Sequence, residues 1–165
     1  MREYSVKGEN VTIASGSTLT LAIVNPGASR VIEIVRAWCS QNGSTTSGQL
    51  GVRLGLKASA FGTYTSSAPQ KLKTSDPSSL IAGGTAGAAG TSGINASAEG
   101  AGTVTTVYPD SFNVLNGWLW TPNMTAGESL IVSGADSLAA VLQLTTSTAS
   151  YLSGWDFGIT FRELG

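Results

Sequence analysis

The side chains best equipped for chemistry in this chain are its many serines, four lysines (Lys7, Lys57, Lys71 and Lys73) and ten acidic residues. A serine nucleophile needs a base beside it, and with no histidine in the chain only a lysine or an amino terminus is left for that role. None of the lysines sits in a Ser-x-x-Lys arrangement, so they read as isolated, solvated residues of loops and strand faces. Asp110, Asp136, Asp156, Glu33 and Glu128 are the candidates for a carboxylate pair of the glycosidase kind, but no spacing couples any two of them. The missing histidine also removes the commonest zinc ligand, and a single cysteine, Cys39, cannot close an intrachain disulfide. Cys39 ends an apolar stretch and reads as an inert buried thiol. A Gly/Ala-rich tract follows residue 82, yet it lacks the Gly-Lys-Ser/Thr ending that places a cation on a phosphate. The expectation is a protein with no catalytic centre, no metal and no cofactor.

Aromatic residues are the remaining candidates. Trp118 and Trp120 lie two residues apart, hence on one side of an extended chain. Two readings stay open: the rings fill a core or a subunit interface, or they form a flat platform for a sugar. Trp155 is a further candidate for the second role.

The elements that must position these residues are β-strands. At 165 residues the chain buries roughly 70% of its unfolded surface without a staple. Apolar residues make up 41%, which excludes wholesale disorder. Charged residues are only 12%, with a net charge of −1, so no basic stripe exists for a nucleic-acid backbone. Self-repulsion is correspondingly weak, and solubility must come from hydroxyls or from a surface covered by copies and partners. The first ten residues lack the apolar core of a signal peptide, and no run approaches the ~20 apolar residues of a membrane helix. Asn-x-Ser/Thr sequons at Asn10, Asn42, Asn95 and Asn123 follow from a composition rich in Ser and Thr.

Alternation dominates the pattern. Leu19, Leu21 and Ile23 share one side of a strand closed by Asn25-Pro26-Gly27. The stretch from Arg30 to Cys39 is apolar on both faces and predicts a central strand buried on two sides. Leu50, Val52, Leu54 and Leu56 alternate with Gly51 and Gly55, where a close neighbour or a bulge is expected. From 58 to 102 the pattern dissolves into Ser, Pro, Thr, Gly and Ala, which predicts one long loop. Strands return near Thr103–Tyr108, around Trp118, at Ser129–Val132, at Leu138–Leu144 and at Trp155–Glu163, with Phe157, Ile159 and Phe161 facing one way. Leu138–Leu144 is the least strand-like of these and is also compatible with a helical turn. The fold class is therefore all-β: an antiparallel β-sandwich, jelly-roll-like, of about eight strands with one long Gly/Ala-rich loop. Residues 1–17 form an N-terminal arm or first strand, and 18–165 one sandwich domain carrying loop 58–102.

Three segments carry a resemblance. The block Asp110-Ser111-Phe112-Asn113-Val114-Leu115-Asn116-Gly117-Trp118-Leu119-Trp120-Thr121-Pro122, the turn Gly127-Glu128-Ser129 and the end Phe157-Gly158-Ile159-Thr160-Phe161-Arg162-Glu163-Leu164-Gly165 resemble small virion structural proteins of tailed bacteriophages. The likeness runs from about residue 103 to the C-terminus, with a looser match over the first sixty residues. Head decoration, or cement, proteins belong to that group. The resemblance implies a β-sandwich protomer, often trimeric, that bridges major capsid protein subunits on the outer surface of the virion, made in the host cytoplasm and carrying no active site. It further implies contact through an N-terminal arm, where Tyr4 and Val6 are the apolar candidates, and through Trp118 and Trp120. Partners would be other copies of the chain and the coat, with no nucleic acid or membrane; carbohydrate binding by a tail fibre or spike, or a filament built by strand donation, are the alternatives.

Overall fold

The computed structural model describes residues 2–123 and 127–164, and among these it contains thirteen strands and no α-helix. In chain order the strands are β1 (Arg2–Val11), β2 (Leu19–Val24), β3 (Val31–Gln41), β4 (Gln49–Ala58), β5 (Thr63–Ser66), β6 (Gln70–Lys71), β7 (Ala82–Gly83), β8 (Thr91–Ala98), β9 (Val104–Asn113), β10 (Trp118–Trp120), β11 (Leu130–Ser133), β12 (Leu138–Leu144) and β13 (Trp155–Glu163). They form two sheets. The first runs β10-β3-β13-β1-β6, with β11 also on β3; the second runs β5-β8-β2-β12-β4-β9, with β7 on β8. Every pairing is antiparallel except β7 with β8.

Set aside the strands contributed by 58–102, and the sheets reduce to β1-β13-β3-β10 and β2-β12-β4-β9. The chain then crosses from one sheet to the other at nearly every step. This is the strand order of two Greek keys rolled into a jelly roll, as the alternating pattern predicts. Between the sheets lies one apolar layer. Register places Tyr4, Phe161, Ile34 and Leu130 in one inward row, Val6, Ile159 and Ala37 in the next, and Phe157, Cys39 and Trp118 in a third. Leu50, Val52, Leu54, Leu142 and Leu144 meet them from the second sheet, all 2% exposed or less. Residues that alternate along strands thus interdigitate across the sandwich.

Several local expectations are corrected. Of the two readings of the N-terminus, arm or first strand, residues 2–11 are the strand: β1 is hydrogen-bonded to β13 along its length and to β6 on its other side. Tyr4 and Val6 are consequently fully buried within the protomer, so their side chains reach no partner. β3 is not buried on both faces. A bulge at Val35, where Thr160 pairs Arg36 but Phe161 pairs Ile34, switches the inward parity from Ile32 and Ile34 to Ala37 and Cys39. A pattern read without that bulge looks apolar on both sides. β2 has the same device at Leu21, so Leu19 faces the core while Ile23 faces outward with Val141 and Gly55. At Gly55 the bulge falls on its partner β9, and a Cβ there would stand 2.8 Å from the Thr105 carbonyl oxygen. Leu138–Leu144 is a strand, preceded by a 3-10 turn at Gly134–Asp136.

The region 58–102 is the largest difference. It supplies four strands: β8, the longest, extends the second sheet beyond β2 with β5 and β7 paired to it, and β6 joins the first sheet beside β1. Phe61, Tyr64 and Glu99 of this excursion cover Thr20, Ile23, Lys57, Val141 and Gln143, each 1% exposed or less although all five point away from the core. Lys57, expected to be solvated, is the key to that cover. Its ammonium donates to the Glu99 backbone carbonyl and lies 3.3 Å from the Glu99 carboxylate. The same carboxylate accepts from the Thr20 amide, from Thr20 Oγ1 at 2.6 Å and from Gln143 Nε2 at 3.2 Å. Arg53 Nε extends the network by donating to Gln143 Oε1 at 2.8 Å.

Two outcomes follow from this architecture. Deleting residues 2–11 abolishes folding, because β13 loses its partner and the core loses Tyr4 and Val6; circular dichroism of the truncated chain should show no cooperative thermal transition. Glu99→Ala leaves the Lys57 ammonium buried and unpaired, at a cost of about 3 kcal/mol, whereas Lys57→Met combined with Glu99→Ala recovers most of that loss. Urea denaturation of the three variants measures both terms.

Candidate functional site

The excursion covers only part of the second sheet's outer face, and the large exposed apolar side chains lie elsewhere, on the first sheet. Six large apolar side chains are between 45% and 60% exposed: Leu72, Leu80, Leu115, Leu119, Ile131 and Leu164. All belong to the first sheet or to segments tied to it. Leu119 and Ile131 lie on β10 and β11, and Leu115 is in the turn that enters β10. The backbone amides of Leu72, Leu80 and Leu164 donate to Glu3, Glu163 and Val31 respectively.

Register divides the first sheet's outer face into two ends. At one end Ile131, Glu33, Arg162 and Glu3 form a row across β11, β3, β13 and β1. The Arg162 guanidinium is 2.7 Å from the Glu3 carboxylate and 3.4 Å from that of Glu33, which also accepts from the Ser129 hydroxyl. The hydrogen bond to Glu3, with the charge of Glu33 behind it, holds Arg162 above its ordinary pKa. Leu72, Leu80 and Leu164 stand around this end, giving an apolar rim about a satisfied ion trio.

At the other end Leu119, Trp38, Gly158 and Lys7 form the corresponding row. Gly158 is what lets the Trp38 indole lie down: a Cβ at 158 would come within 2.5 Å of Cη2 and 2.6 Å of Cζ2. The Arg36 guanidinium rests over the ring, 4.7 Å from its centroid. Two shallow depressions share the indole as a wall. One, of about 250 Å³, is lined by Arg36, Ser40, Asn116 and Leu119 among others; the second, of about 310 Å³, is lined by Lys7, Gly8, Glu9 and Asp156. Asp156 is fixed by accepting the Asn10 amide at 2.7 Å, and Lys7 lies 3.8 Å from Glu9.

The tryptophans singled out by spacing are placed elsewhere. Trp118 and Trp120 do share a side of β10, but it is the inner side. Trp118 is 9% exposed and donates from Nε1 to Asp110 at 2.9 Å, while Trp120 packs on Tyr108 with centroids 4.8 Å apart. Together they close the gap between the first sheet and β9. Trp155 is fully buried and donates to the Tyr151 carbonyl, so neither it nor Trp118 presents a ring face to a ligand. Trp38 was hidden in the sequence by the β3 bulge. Its one legible signal is Gly158, a glycine on the outward face of an otherwise bulky strand.

The candidate acid and base residues do not assemble. Glu33 serves Arg162, Asp110 serves Trp118 and Asp156 serves the Asn10 amide. Among the described residues no three His, Cys, Asp or Glu side chains gather as a metal site would require. Likewise, no helix there is long and apolar enough to cross a membrane. Comparison with known protein families, characterised proteins and solved structures yields no match.

Cys39 is in the core row beside Phe157, and burial pushes its thiol far above the ordinary cysteine value. The thiol form, which is the unreactive one, therefore persists at neutral pH. Iodoacetamide at about pH 8 should alkylate the native protein on the order of a hundredfold more slowly than the urea-unfolded chain. Mass spectrometry of the alkylated product reads the ratio, and equal rates would contradict the placement.

Proposed function

We propose that the protein is a non-enzymatic structural subunit of a virion: a decoration protein on the outer surface of a phage capsid, bridging coat subunits and acting as a homo-oligomer, in the simplest case a trimer. The observation that carries this reading is the one-sidedness of the sandwich. The chain's own excursion covers the part of one outer face made by β2, β12 and the end of β4, and the exposed large apolar side chains lie on or beside the other sheet. Contiguous apolar surface on a chain of such low charge is a site of association.

Within that face the Arg162 end has the composition of a contact. Leu80, Ile131 and Leu164 supply apolar area, and the arginine at the centre has its charge already matched by Glu3 and Glu33. An interface core built this way avoids desolvating an unpaired charge. The resemblance of residues 103–165 to phage head proteins supplies the identity of the lattice. A jelly roll suits the task, since its two sheets give a rigid body whose surface alone adapts. Strand donation fits less well, because β1 is used inside its own sheet.

The test combines native mass spectrometry of the purified chain with sedimentation against phage shells lacking their decoration protein. The wild-type protein should be oligomeric and should co-sediment. Leu80→Asp with Leu164→Asp, both at exposed positions, should leave the thermal midpoint nearly unchanged, dissociate the oligomer and weaken shell binding by at least about tenfold, the effect of placing charge in an apolar contact. A strictly monomeric wild-type chain that leaves shells unbound refutes the proposal.

A further inference from the structure

We propose that the Trp38 end of the same face is a saccharide site, binding an uncharged hexose chain with one unit on each side of the indole. It is a second site at the opposite end of the sheet from the assembly contact, and it does not depend on that contact.

Four observations point there. Gly158 removes the only side chain that would lift the indole off the sheet, so the ring is laid across β13. A flattened indole presents a face of negative potential, the complement of the slightly positive C–H face of a pyranose. Secondly, the two depressions of about 250 and 310 Å³ meet at that ring, each near the lower limit of small-molecule sites, roughly 300 Å³. Thirdly, both hold hydrogen-bonding groups. Arg36 and Lys7 donate, Glu9 and Asp156 accept, and Ser40 and Asn116 do either. Sugar hydroxyls need both kinds. Lastly, Arg36 and Lys7 are matched in number by Glu9 and Asp156, so the surface carries no net charge and favours a neutral ligand.

The same residues argue against a second protein on this patch. Interface cores are depleted of charge, whereas here four charged side chains surround one aromatic ring. Arg36 lies over part of the indole, but an exposed cation–π contact is weak, and Arg36 is itself solvent-exposed. It is free to swing aside and donate to the incoming sugar.

Titration of the intact protein with cellohexaose, maltohexaose, mannohexaose and chitohexaose, followed by tryptophan fluorescence and calorimetry, tests the site. At least one probe should give a saturable signal in both. Trp38→Ala should weaken that binding by at least about tenfold, as should Lys7→Ala combined with Glu9→Gln, each removing charge-assisted hydrogen bonds. The second variant changes only exposed side chains and decides the matter if the first fails to fold. Leu80→Asp with Leu164→Asp should bind sugar as the wild type does. The proposal is overturned if no probe binds up to its solubility limit or if binding survives the Lys7/Glu9 double change. It is also overturned if Trp38→Ala lowers the oligomeric mass, which would give the patch to a second copy.

Discussion

A buried ammonium dictates much of this structure. Lys57 points away from the core of the second sheet, where a lysine would ordinarily reach water, yet it is 1% exposed. A charge so placed is tolerable only with a counter-charge and hydrogen bonds that occupy its protons. The carboxylate that answers it belongs to Glu99, at the far end of the excursion between β4 and β9. Bringing Glu99 to Lys57 returns the end of the excursion to the second sheet, and Phe61 and Tyr64 come with it, while its middle runs to the first sheet, where β6 pairs β1. One face is thereby partly covered, and the molecule acquires a front and a back.

Much of the jelly roll was legible in the sequence. The alternation of Leu50, Val52 and Leu54, and of Phe157, Ile159 and Phe161, placed two strands and their inward faces correctly, as the buried rows show. The failures share a cause, because a period-2 reading assumes that parity holds along a strand. The bulges at Val35 and Leu21 each add one residue and reverse it. β3 then looks apolar on both faces although Trp38 and Arg36 are on the outside. No local feature of Val35 announces the bulge; it is imposed by pairing with β13, about 125 residues away in the chain at Thr160 and beyond.

The excursion departs from the sequence pattern for a different reason. Gly, Ala and Ser predict a loop, but in β8 they are what a crowded interior strand allows. A Cβ on Gly93 would stand 2.8 Å from that of Tyr64, and the fully buried Ser92 hydroxyl serves the carbonyls of Ser67 and Ala82. Small residues here accommodate the close approach of the neighbouring strands β5 and β7. Composition cannot distinguish that from flexibility, because both remove side chains; only the location of Glu99 relative to Lys57 separates them. The site was hidden in the same manner, since Gly158 acquires meaning only when register places Trp38 beside it.

The low charge of the chain can be understood from the way its few charges are used. Lys57 and Glu99 pair against the excursion, and Glu3, Glu33 and Arg162 are joined at one end of the first sheet's outer face. Arg36, Lys7, Glu9 and Asp156 surround Trp38 at the opposite end. Nine of the nineteen charged side chains thus stand in three groups: one against the excursion, and one at each end of the first sheet's outer face. A chain that relied on charge for solubility would spread it evenly over both faces. The first sheet's outer face instead sets exposed apolar side chains beside paired charges, as Ile131 stands beside Glu33 in the row of Arg162 and Glu3.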